Sequence, residues 1–90
     1  RRMCSMDEVI ILTKLPANDT DKEINAWLVD VTTVIDATVK EHECSADLWS
    51  WRLAILGKHW LLHYSSLCEA AWLLPLEGTE QWVEERIRDL

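Results

Sequence analysis

The chain has 90 residues, 49% of them hydrophobic and 28% charged, with Gly 2, Pro 2 and a formal net charge of -7. That composition excludes a disordered tail and a loop-rich disulfide scaffold. The acidic balance argues against direct contact with phosphate backbones or anionic bilayers, which would repel it. One domain covering residues 1–90 is expected, near the lower end of what folds alone and with a thin core.

Cys4, Cys44 and Cys68 are odd in number and unrelated in spacing, which suits a reducing compartment and predicts an intracellular, cytoplasmic protein. The start "RRMCSM" has a basic pair with no apolar core behind it, so no secretory peptide is expected. Arg1 at the start points to a domain excised from a longer chain, and the size and acidity also fit a small accessory protein of viral or phage type.

In chain order, Ser5 and Glu8 have the spacing of a capping box, predicting a short helix over 6–15, although "EVIIL" is also strand-like. Pro16 and "ANDT" supply a turn, and "NDT" at 18–20 is read as turn and cap chemistry rather than as a glycosylation site. Thr20 and Glu23 form a second capping box. Ile24, Trp27, Leu28, Val31, Val34, Ile35, Thr38, Val39 and His42 then recur at steps of three and four. That spacing predicts a helix over 21–43, in preference to a strand through the β-branched run "VDVTTVIDATV".

After a tight link at "HECS", the stretch "LWSWRLAILGKHWLLHYSSLCEAAWLLP" holds four of the six tryptophans. Arg52, Lys58, His59, His63 and Glu69 interrupt it too often for a membrane span. It reads as a long helix over 46–74 ended by Pro75 and antiparallel to the preceding one, with Gly57 or the Ser65-Ser66 pair as the place where it would kink. Thr79 as N-cap, acids early and a stripe of Trp82, Val83, Ile87 and Leu90 predict a last helix over 79–90. The fold class expected is all-α: a small bundle built on a long helical hairpin with two short flanking helices.

On a helical wheel the long third helix is apolar nearly all round. Trp49, Leu53, Leu56, Trp60, Tyr64, Leu67, Ala71 and Leu74 form a seam toward its neighbour, and Leu48, Trp51, Ile55, Leu62, Trp72 and Leu73 form an outer surface. Such an excess of apolar circumference, rich in Trp and without Phe, predicts a non-catalytic interaction module that homodimerises or docks on a protein partner through that surface. The alternative is an acidic inhibitor or nucleic-acid mimic, with Asp30, Asp36 and Glu41 as its docking carboxylates.

Chemistry is sparse. His59 and His63 share a face at i and i+4 with Asp30 as the nearest third ligand, but without a paired motif they are weak metal candidates and read as boundary histidines. Cys68 reads as a small buried hydrophobe. No nucleophile, base and anion-binding group converge, so no enzyme, cofactor or small-molecule substrate is expected.

Overall fold

A computed structural model describes residues 9–78 and 80–90 of the chain. Its centre is a five-stranded antiparallel sheet. The strands are β1 (Ile10–Leu12), β2 (Thr38–Ser45), β3 (Leu48–Ile55), β4 (Lys58–Ser65) and β5 (Ala70–Pro75), arranged β1-β5-β4-β3-β2. Two helices, α1 (Asp21–Val34) and α2 (Gln81–Arg88), complete the fold. This overturns the expected all-α bundle.

The helix expected over 46–74 is three strands, and period explains why. Along β3 the buried apolar residues are Trp51, Leu53 and Ile55, along β4 Trp60, Leu62 and Tyr64, along β5 Ala71, Leu73 and Pro75. This alternation is what a half-buried strand requires. It is obscured in the sequence because the alternate positions Leu48, Ala54, Leu61, Trp72 and Leu74 are apolar as well. Two apolar faces with period 2 leave apolar residues at most helical offsets too.

Two of the reversals fall at Gly57 and just after Ser65, where a kink and not a chain reversal was expected. Ser45 pairs with Leu48 and Ile55 with Lys58, so β2–β3 and β3–β4 are joined by two-residue loops, Ala46-Asp47 and Leu56-Gly57. Leu56 (φ 52) and Gly57 (φ 84) are both left-handed, as a type I′ hairpin turn demands. The usual first residue there is Asn or Asp, and Leu gives no signal.

The helix expected over 21–43 is half right. Thr20 caps α1 as expected, its side chain accepting from the Glu23 N–H at 3.4 Å, and Asn18 Oδ1 accepts from the Thr20 N–H at 3.0 Å. The helix stops at Val34. The Ala37 N–H bonds back to Thr32 O at 2.8 Å and the Asp36 N–H to Thr33 O at 3.3 Å, with Asp36 at φ 53. This is a Schellman closure, made with Asp where Gly is usual. Only the end of the β-branched run, Thr38 and Val39, enters β2, while residues 29–34 stay in α1, so the strand tendency set aside earlier prevails only from Thr38 onward.

Of the expected helix over 6–15, residues 6–8 and the Ser5 cap lie outside the described residues, and Ile10–Leu12 is a strand paired with Ala71–Leu73. The last helix is present as α2, while its expected cap Thr79 lies outside the described residues.

α1 leaves β1 at one edge of the sheet and delivers the chain to β2 at the other. Fourteen residues at 1.5 Å each make about 21 Å of helix, close to the roughly 19 Å across five strands. Its Ile24, Trp27 and Val31 sink into the sheet, with the Trp27 ring 5.8 Å from Trp51 and 5.7 Å from Tyr64. The indole N–H of Trp27 donates to Lys14 O at 2.7 Å, so the buried ring leaves no polar atom unpaired. α2 adds Val83 and Ile87 to the same core. Arg86 donates to Val34 O at 3.1 Å, placing a cation at the negative end of α1. Neither helix is long and apolar enough to cross a membrane.

Candidate functional site

Both helices cover the same face of the sheet, because Trp51, Leu53, Trp60, Leu62, Ala71 and Leu73 all lie in one core with α1 and α2. No described element covers the opposite face. Cross-strand register arranges its side chains in rows. One row runs Ile11, Trp72, His63, Ser50, Glu43 from β1 to β2, and the next runs Leu74, Leu61, Arg52, Glu41. The β1–β5–β4 half is therefore apolar, with Ile11 64% exposed and Leu61, Trp72 and Leu74 partly so. The β3–β2 half carries Ser50 and Arg52 between the apolar Leu48 and Ala54, and ends in Glu41 and Glu43.

The rows are held by specific contacts. Ser50 Oγ is 2.8 Å from His63 Nδ1, and the His63 ring lies against Trp72 with centroids 5.4 Å apart. Burial lowers the His63 pKa from its ordinary value, because the half-covered ring loses the water that would solvate its charge. Arg52 Nε donates to Glu41 Oε1 at 3.1 Å. β2 is exposed along its length, and a register shift between Val39 and Glu41 marks a bulge. A bulge and charged side chains are the usual protection of an open edge against adventitious pairing.

The residues expected to form one outer surface divide. Leu48 and Trp72 lie on the open face, while Trp51, Ile55, Leu62 and Leu73 are buried beneath the helices. Helical geometry had joined positions that a strand places on opposite sides. Of the seam, Leu56 and Leu67 are not packed at all but stand at turns, 78% and 79% exposed. Leu74, expected in the seam, stands on the open face beside Leu61, and Leu61 and Ile11 were not singled out as contact residues. The signal for them was alternation on either side of the Leu56-Gly57 break.

The acidic candidates do not converge. Asp30 is on α1, paired with Lys14 Nζ at 3.0 Å. Asp36 closes the α1–β2 turn, and Glu41 holds Arg52. His59 and His63 share the open face, but four residues of strand separate them by roughly 13 Å, beyond the reach of one ion. His59 pairs instead with Glu77 at 3.4 Å, and no cluster of three metal-ligating side chains occurs among the described residues. Cys68, expected to be buried, is exposed in the β4–β5 turn.

Ser50 and His63 have the reach of a nucleophile and base, but the ring's other flank meets Trp72. Among the described residues no carboxylate bonds the second ring nitrogen. The pair satisfies two half-buried polar groups across adjacent strands.

Residues 2–87 match the profile of the family described as "Protein of unknown function (DUF3630)". The chain belongs to that family. No curated protein matches it, and no solved structure does. The DUF3630 match takes in every strand of the sheet and nearly all of α2, so the open face lies wholly within the matched region.

Proposed function

We propose that the chain is a non-catalytic binding module that docks a protein partner through the sheet face its helices leave open. The observation that carries this reading is the placement of Ile11, Leu61, Trp72 and Leu74 side by side on that face, with no described element above them. A stable interface needs an apolar centre free of charge and a polar rim. The face has this layout: Trp72 and its apolar neighbours at the centre, Arg52, Glu41 and Glu43 along the β2 side. Trp is the residue most often found carrying binding energy, since one rigid ring buries a large area at small entropic cost. A second copy of the chain is the simplest protein partner, presenting the same apolar centre about a twofold axis.

The test is sedimentation over a wide concentration range, joined to photo-crosslinking in a host extract from position 61, the open-face neighbour of Leu74. The expected result is a doubled mass or one dominant protein adduct, lost in Trp72→Glu and in Leu74→Lys while the unfolding midpoint is retained. If both variants leave mass and adduct unchanged, the open face is not the docking surface.

A further inference from the structure

At the end of the sheet away from the Leu56-Gly57 turn, the β1–α1 loop, the β2–β3 turn and the β4–β5 turn enclose a cleft of about 430 Å³. It is distinct from the open face, since its floor is Tyr64, a helix-side residue of β4. Asp19, Asp47 and Glu69 line its walls, together with Asn18 and Ser66. No cation lines it. The chain's other carboxylates are often neutralised, by Lys14, Arg52, Lys58 and Arg88, but none of these three has an ion-pair partner among the described residues.

Tyr64 supplies the second observation. The residue is only 4% exposed, its ring wedged between Trp27 and Trp49 at 5.7 and 5.5 Å. Its hydroxyl has no hydrogen-bond partner among the described residues, although a buried hydroxyl normally finds one. Burial, then the nearby Asp19 and Glu69 charges, push its pKa above the ordinary phenol value, so the group at the cleft floor remains a neutral hydroxyl facing carboxylates. Asp47 is partly engaged: Ser65 Oγ donates to its Oδ2 at 3.4 Å and the Ser66 N–H to its backbone oxygen at 2.9 Å, which holds the two turns together.

We propose that this cleft binds an extended aliphatic cation bearing two or more ammonium groups, with the Tyr64 hydroxyl oxygen accepting from one ammonium and the Asp19 and Glu69 carboxylates holding the charge. An ammonium brings three donors and no acceptor, which is what a site composed of carboxylates and a hydroxyl oxygen lacks. Charge-assisted hydrogen bonds to carboxylates are the stronger kind and fix the cation in place. A compact metal ion is the poorer fit, since these side chains form no three-ligand cluster. Such a cation is presented by a free polyamine or by consecutive lysines of a peptide.

The test is an NMR titration of the full chain at neutral pH with spermidine and, separately, with a blocked tri-lysine peptide. Tyr64 is the single tyrosine, so its ring signals are unambiguous. The expected result is saturable shifts at Tyr64 and at the amides of Asp47, Ser66 and Glu69, with affinity falling at least about tenfold in Asp19→Asn/Glu69→Gln. Tyr64→Phe, which keeps the ring and removes the hydroxyl, weakens binding by about fivefold. Glu84→Gln/Glu85→Gln, the same charge change on α2, leaves affinity unchanged. Saturation by spermidine alone identifies a free polyamine, and saturation by the peptide alone identifies a lysine-bearing protein segment. Absence of saturation by either probe, or equal losses in the two double variants, overturns the proposal. Retained unfolding midpoints in each variant separate lost binding from lost folding.

Discussion

Ser50 Oγ and His63 Nδ1 stand 2.8 Å apart across the β3–β4 pair, on the face that carries Trp72. The folded chain favours the neutral His63 ring, because burial depresses its pKa below the ordinary 6.5. The unfolded chain therefore takes up this proton first as pH falls. The stabilisation is present above about pH 6.5 and is lost as pH falls from there toward the folded value. Denaturant unfolding between pH 8 and pH 5 should show a loss of stability on acidification that is smaller in His63→Gln. Identical pH profiles for the two proteins would contradict the assignment.

Adjacent residues of β4 should differ sharply. Leu62 is fully buried, and Leu62→Ala is expected to cost about 2–5 kcal/mol through lost burial and the cavity left behind. Leu61, one position earlier and on the open face, is partly exposed, so Leu61→Ala should cost less than about 1 kcal/mol in the isolated chain. Urea unfolding of both variants measures the contrast. Equal costs would be incompatible with alternation in this strand.

Leu56 combines a left-handed backbone with a side chain that is 78% exposed. Leu56→Asn places a residue that tolerates this conformation in the first position of the type I′ turn and removes an exposed apolar group. A gain of roughly 0.5–1 kcal/mol is expected, read as a higher thermal midpoint. A lower midpoint would show that the Leu56 side chain makes a contact worth more than the backbone cost.

The Thr20 cap offers a simpler check. Thr20→Ala removes the acceptor for the Glu23 N–H and should cost about 0.5–2 kcal/mol. Thr20→Asn should restore most of that loss. If Asn rescues nothing, the role of Thr20 is something other than capping.

What the sequence disclosed depended on how ordinary each local signal was. The start of α1 was legible because Thr20 and Glu23 use the common capping spacing, and α2 because Val83 and Ile87 lie four apart among charges. The end of α1 and the hairpins were not. Asp36, Ala46, Leu56 and Glu69 all carry positive φ at chain reversals where glycine or asparagine would have announced the break. With the breaks concealed, β3, β4 and β5 merged into one apolar run, and Leu61 and Trp72 could not be assigned to the side opposite Leu62 and Leu73. The apolar excess itself was plain from the tryptophans. Its division between a core and an open face needed the strand period.

The passage of α1 from one sheet edge to the other also sets an order of assembly. β2 through β5 form a chain of hairpins whose partners are near in sequence, whereas Ile10 meets Leu73 only after the ends of a loop of roughly 60 residues come together. Local pairings form before distant ones, and three residues of β1 contribute little to hold that last junction closed. In the interval β5 is a bare edge, with Trp72 and Leu74 on its uncovered side. Amide exchange should find its least protected strand at β1, and the moments when β1 is detached are those in which this chain is most open to pairing with another.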